Sequence, residues 1–294
     1  MSIQITTAFV QQYRANVEHL VQQKGSRLRP LVRAESQNAE FDFYDRIGAT
    51  LAQEVTGRHQ DTPLINVPHD RRRCSLRDFD WADLIDRTDR IRMLIDPTSP
   101  YSQNAAYALG RKMDEVILDA AFASVSTGKT GSSTVTFPSS QQIAVDYVES
   151  GGATNSGLTI GKLRRAKQIL DANEVDPTER RYVAVTAKQI NDLLRTTEVT
   201  SADFNTVRAL VQGELNSFMG FEFVRTELVR TNASSHRRCL AWAQTGLLIA
   251  VGSDITVDIG PRRDKRNSTQ VYVSASFGAT RMEEEKVVEI ICAE

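Results

Sequence analysis

Between Asp70 and Arg92 the chain places seven arginines and six aspartates, interleaved rather than blocked. A run of one sign would make a solvated tail for a polyanion, whereas alternation makes faces that pair with one another. Leu76, Phe79 and Trp81 sit among these charges, and Leu64, Ile65 and Val67 come just ahead of them. That is too much apolar surface for an idle loop of this length. Pro63 and Pro68 interrupt extended-looking sequence, which favours edge strands or a hairpin over a central sheet. The stretch is expected to cover a partner.

The rest of the chain has the means to build a core around this excursion. It has 294 residues, 40% apolar and 25% charged, which excludes wholesale disorder. Lysines and arginines nearly cancel the acids, leaving a formal charge of -1. A protein whose main task is gripping nucleic acid carries a basic excess, because phosphate neutralisation supplies most of the affinity. No apolar run approaches the roughly 18 residues of a membrane span, and the N-terminus lacks the pattern of a signal peptide. Cys74, Cys239 and Cys292 are distant and odd in number, which argues against a disulfide framework and for a reducing cytoplasm.

Periodicity divides the chain. Phe9, Tyr13, Val17, Leu20 and Val21 fall at helical spacing ahead of Gly25, and Arg27, Arg29 and Arg33 follow around Pro30. This arm is too short for a core of its own and must dock. Over 101–126, Ala105, Leu109, Met113, Val116, Ile117, Ala120 and Ala121 trace an apolar stripe, with Arg111, Lys112, Asp114 and Glu115 off it and Gly128 as the expected cap. Beyond 134, helices are expected at Thr159–Asn173, Ala187–Arg195 and Phe204–Leu215. Strands are expected at Thr134–Phe137, Ile143–Val148, Tyr182–Thr186, Glu222–Thr226, Cys239–Trp242, Leu247–Val251, Thr256–Ile259 and Val271–Ser276, with a last one inside Met282–Ala293. The pattern is α+β without internal repeats.

Catalytic readings fail on chemistry. Residues 123–130, ending Gly128-Lys129-Thr130, satisfy a relaxed phosphate-loop pattern, but the chemistry requires a strand before the loop and a helix after it. Here a helix is expected before and a strand after. His69 with Cys74 and His236 with Cys239 lack a second pair at zinc spacing. There is no Gly-x-Ser-x-Gly elbow, and no carboxylate pair is assignable as acid and base. No enzyme activity, metal or cofactor is expected. Arg71–Arg73 and the basic turn Arg262–Arg266 lack the interleaved aromatics of a single-strand binder, so ion pairs between subunits, or solvated faces, fit them better.

Several blocks resemble one family. Gln4–Val10, Gln22–Arg29, Arg58-His59-x-Asp61-Thr62-Pro63, Pro68-His69-x-Arg71-Arg72-Arg73, Trp81–Asp86, Asp96–Ser99 and Gly110-Arg111-x-x-Asp114 look like the tailed-bacteriophage major capsid proteins. The blocks run through roughly the first 140 residues; the remainder matches in the order of its elements. The resemblance implies the HK97-type capsid fold, α+β, with an N-terminal arm at 1–35 and an extended β-hairpin loop at 36–85. A peripheral domain would span 86–179 with a spine helix at 101–126, an axial domain 180–258, and strands returning to the peripheral domain 259–294.

On that map the chain is a subunit that self-assembles through hexamers and pentamers into an icosahedral head enclosing double-stranded DNA. It would be assembled in the bacterial host cytoplasm and located in the virion. Subunit contacts are expected at Arg27, Arg29, Arg58, His59, Asp61, His69, Arg71, Arg72, Arg73, Asp80, Trp81 and Asp83. The stretch before the loop is too short for a fused scaffolding domain, so the implied partners are a separate scaffolding protein, a portal and a cement protein, with non-specific contact to packaged DNA and none to membrane. No residues match a lysine–asparagine crosslink. The competing readings are an encapsulin-like cellular shell around a cargo enzyme, a nucleotide-binding enzyme built on Lys129, and a sequence-specific nucleic-acid binder.

Overall fold

The computed structural model of the protein describes residues 22–54, 56–58, 61–62, 64–86, 98–149, 151–195 and 217–294. The expected helices at 9–21 and 204–215 and the residue His59 lie outside these ranges. The chain divides into two compact units. One comprises residues 1–26, 78–112 and 253–276; the other comprises 27–77, 113–252 and 277–294.

The larger unit is organised by a six-stranded mixed sheet. Its strands are β7 (Gln142–Ile143), β8 (Arg181–Val185), β9 (Ser217–Phe218), β10 (Phe221–Arg225), β11 (Arg237–Ala243) and β14 (Val287–Cys292), in the order β7-β14-β11-β8-β10-β9. The all-buried run of β8 marks a strand covered on both faces. Helices α2 (Ile160–Ala172) and α3 (Ala187–Leu194) join this sheet through one core containing Leu163, Leu170, Val183, Val185, Leu193, Phe221 and Ile290. Both helices begin where the sequence provides a cap. Thr159 accepts from the Lys162 N–H at 3.3 Å, and the Thr186 N–H donates to Gln189 at 3.2 Å in a capping box.

Lys162 is fully buried, and burial lowers the pKa of its ammonium. The ammonium lies within hydrogen-bond distance of the carbonyls of Val145 (2.9 Å), Ser156 (2.8 Å), Gly157 (3.1 Å) and Ile291 (2.9 Å). Four oxygens offset the loss of water and tie the connection ahead of α2 to β14.

A second sheet in the same unit has the order β2-β3-β5-β6, from β2 (Phe41–Ile47), β3 (His69–Ser75), β5 (Val125–Thr127) and β6 (Ser133–Val135). The third sheet has the order β1-β12-β13-β4, from β1 (Arg33–Ser36), β12 (Leu247–Arg262), β13 (Ser268–Arg281) and β4 (Arg77–Ile85). In the smaller unit, β4 is fastened to β13 by hydroxyls: Ser276 donates to Asp78 and Ser268 to Asp86. The two strands expected at 247–251 and 256–259 are one strand of 16 residues, because its partner continues past the polar residues Ser253 and Asp254. The strand expected at 143–148 is reduced to the short β7.

The long helix α1 runs Thr98–Phe122. It ends short of Gly128, which takes φ +86° in the turn between β5 and β6 rather than capping the helix. The segment 123–130 therefore enters its turn as a strand and leaves it as a strand. No helix follows to hold a phosphate.

Candidate assembly surface

The extended hairpin is built on a charged root. β2 and β3 pair antiparallel from Phe41 opposite Ser75 to Ile47 opposite His69, and the Gly48 N–H closes the ladder on the Pro68 carbonyl at 2.9 Å. Strand alternation turns Arg72 to one face and Arg71 and Arg73 to the other. Arg72 is fully buried; its Nη2 reaches both Glu284 oxygens at 2.9 and 2.8 Å, and its Nε lies 3.4 Å from the Met282 carbonyl. Arg281, also fully buried, donates to the carbonyls of Ala121 (2.7 Å) and Ala123 (2.9 Å) and lies 3.4 Å from Glu284. Arg46 donates twice to Asp70, at 2.9 and 2.7 Å, and to the Met282 carbonyl at 3.0 Å. Partial burial pushes the Asp70 carboxyl up, but hydrogen bonds from Thr127, Arg46 and the Arg71 N–H outweigh it and hold the group at about 2.

These contacts correct one expectation. Arg72 was placed at a subunit contact, but the alternation of β3 puts it inside its own subunit, paired with Glu284. Its neighbours remain outward. Arg71 is 2.8 Å from Asp45 and stacks over Phe43, while Arg73 lies 4.2 Å from the centre of the Phe41 ring. His69 is exposed beside them.

Beyond the ladder, every described residue from Gly48 to Pro68 is exposed and none lies in a helix or strand. Arg58 and Asp61 lie in this span. Among the described residues, nine large apolar side chains are exposed, and Phe41, Ile47, Leu51, Leu64, Ile65 and Val67 all belong to the hairpin. In the smaller unit, Asp80 and Asp83 are exposed along β4 and Trp81 is half-buried. The β12–β13 turn projects Arg263, Lys265 and Arg266, with Arg262 held by Asp264.

The root of the arm is clamped by a residue the helical pattern assigned to solvent. Asp114 is fully buried and accepts the backbone N–H groups of Arg27 (3.0 Å) and Leu28 (3.1 Å). The Arg27 side chain is exposed and its guanidinium donates to the Arg225 carbonyl; Arg29 is half-buried in a single 3-10 turn. Trp242 donates from Nε1 to the Leu31 carbonyl at 3.1 Å, fixing the chain just after that turn. In the smaller unit, Gly110 lets the backbone of Gly25 cross the helix, since a Cβ at 110 would stand 2.7 Å from the Gly25 Cα. Gly110 and Asp114, one helical turn apart, stand in the sequence within the block Gly110-Arg111-x-x-Asp114, and nothing local in it marks the acid as buried. Glu284 falls in no such block.

This arrangement combines anchored roots with projecting segments. The fold is that of solved phage shell proteins. It is similar to the capsid of cyanophage P-SCSP1u, with TM-score 0.75 and 14% identity over 98% of this chain and 94% of that one. It is similar to the capsid of Ralstonia phage GP4, with TM-score 0.74 and 11% identity over 96% and 94%, and to a structure from Mycobacterium phage Che8, with TM-score 0.69 and 16% identity over 96% and 97%. None of the curated proteins matches the sequence. The family model described as phage capsid protein matches residues 5–294, and the chain belongs to that family. It is a major capsid protein, a non-enzymatic building block of the phage head with the HK97-type fold.

Proposed function

We propose that copies of this chain meet as hexamers and pentamers and close an icosahedral head around double-stranded DNA, assembling in the host cytoplasm. A separate scaffolding protein, a portal and a cement protein are the proposed helpers. In this reading residues 1–35 are the arm, 36–85 the extended loop with the β2–β3 hairpin as its stem, 86–179 the peripheral domain with α1 as its spine, 180–258 the axial domain and 259–294 the returning strands. Outward residues of arm, loop and β4 supply the subunit contacts: Arg27, Arg29, Arg58, Asp61, His69, Arg71, Arg73, Asp80, Trp81 and Asp83.

The observation that carries this reading is the exposed apolar run of the hairpin, from Ile47 and Leu51 to Leu64, Ile65 and Val67. Burying such side chains stabilises by about 25 cal/mol per Å². A shell repeats that gain at every copy, and closed symmetry fixes where it falls. The test is electron microscopy of the full-length protein expressed with its assembly helpers. Closed particles of uniform size are expected. A compact monomer at high concentration in the presence of those helpers would overturn the proposal.

A further inference from the structure

Among the described residues, the third sheet leaves one edge open along most of β12. β1 runs beside it only as far as Val251, whose carbonyl accepts from the Gln37 N–H at 3.0 Å. Main-chain groups alternate along a strand, so those of Ser253, Ile255, Val257 and Ile259 point the same way as those of Val251. The Ile255 N–H donates to the carboxylate of its own neighbour Asp254 at 2.9 Å, which stands in for a ladder partner. In the smaller unit the side chains of Ile255, Val257 and Ile259 share one face, and Val257 and Ile259 are 48% and 46% exposed. An apolar edge of this length is a template for another strand, and neither proline nor lysine interrupts it before Pro261.

The residues of the edge say what fits it. Asp254-Ile255-Thr256-Val257-Asp258-Ile259-Gly260 is its own antiparallel complement about Val257. Laid against a second copy, Val257 meets Val257, Ile255 meets Ile259, Thr256 meets Asp258 and Asp254 meets Gly260. Apolar side chains then face apolar ones, and no two carboxylates stand opposite each other. A slip of two residues either way sets Asp254 against Asp258, or Asp258 against itself. We propose that two copies pair along this edge about a two-fold axis at Val257, sharing about six main-chain hydrogen bonds. The inference rests on the self-assembly reading above and assigns one contact that closes in pairs. An isologous contact of this kind ends at two copies, and Pro261, which has no N–H, ends its ladder.

Disulfide trapping at the axis tests it. Opposed residues of a hydrogen-bonded pair have Cα atoms about 5.5 Å apart, within reach of a disulfide. The native thiols Cys74, Cys239 and Cys292 are buried and contribute little background. Particles of the full-length Val257→Cys chain are treated with diamide, which takes up the two protons and two electrons that the thiols lose. Covalent dimers and nothing larger are expected on non-reducing gels. Asp254→Cys, far from its own counterpart in this register, is expected to give none. Val257→Lys and Val257→Glu each repel themselves across the axis and are expected to lower particle yield at least about tenfold, with free subunits melting as wild type. Mixing the two is expected to restore the yield. Absence of the Val257→Cys dimer from particles would overturn the pairing while leaving shell formation standing, and equal dimers from Asp254→Cys would overturn the register. Low yields that mixing does not restore would assign the edge to a strand of another protein and overturn self-pairing as well. Wild-type protein that forms no particles would instead remove the reading beneath it.

Discussion

The two ends of the extended loop obey opposite rules. At its stem, Arg72 and Arg281 lie fully buried against Glu284; at its far end, Leu51 and Leu64 are almost fully exposed. The stem makes sense within one subunit, because each buried guanidinium meets a carboxylate or carbonyls. The far end makes sense only with a partner. The contrast teaches that fixing a lever and giving it something to grip are separate problems. Directional ionic contacts solve the first, and surface left for another copy solves the second.

The contrast breaks most visibly at Arg72. Arg72→Ala leaves Glu284 buried with only the longer contacts to Arg281 (3.4 Å) and Arg46 (3.5 Å) and is expected to destabilise the free subunit by about 3–5 kcal/mol in denaturant melts. Asp114→Ala removes the acceptor of two backbone N–H groups and is expected to cost about 2 kcal/mol, with proteolytic cleavage near Arg27 becoming faster. A smaller effect should appear with acid. The folded value of Asp70 lies below the ordinary 3.8, so its contribution is complete above that pH and disappears as the pH falls through about 2. Thr127→Val removes one of the bonds holding it down, and the loss should then begin at higher pH, read by carboxyl NMR titration. Arg71→Ala, one residue from Arg72 but facing outward, is expected to cost only about 0.5–1 kcal/mol in the same melts. Equal losses at Arg71 and Arg72 would erase the distinction between inward and outward faces.

Much of the frame was legible in the sequence because its signals are local. Thr159, Thr186 and the apolar run of β8 mark their elements within a few residues. The charged stem was not legible, since Glu284 lies 212 residues beyond Arg72 and no spacing rule connects them. Alternation along β3 already separated Arg72 from Arg71 and Arg73, but nothing local said which face was inward. Asp114 misled for a related reason: an acid beside an apolar stripe is ordinarily solvated, whereas this one is buried and accepts the N–H groups of Arg27 and Leu28, 86 and more residues away. The apolar residues of the loop, expected from the sequence to cover a partner, are exposed in the subunit.

The bare crossing at Gly25 and Gly110 has a practical consequence. Two backbones touch there with no side chain between them, so a single added methyl at position 110 acts as a wedge. It would prise the incoming chain off the helix without changing any charge. That makes Gly110 a mechanical adjustment point, where the spacing between the helix and the backbone of Gly25 and Ser26 is set by the volume of one residue.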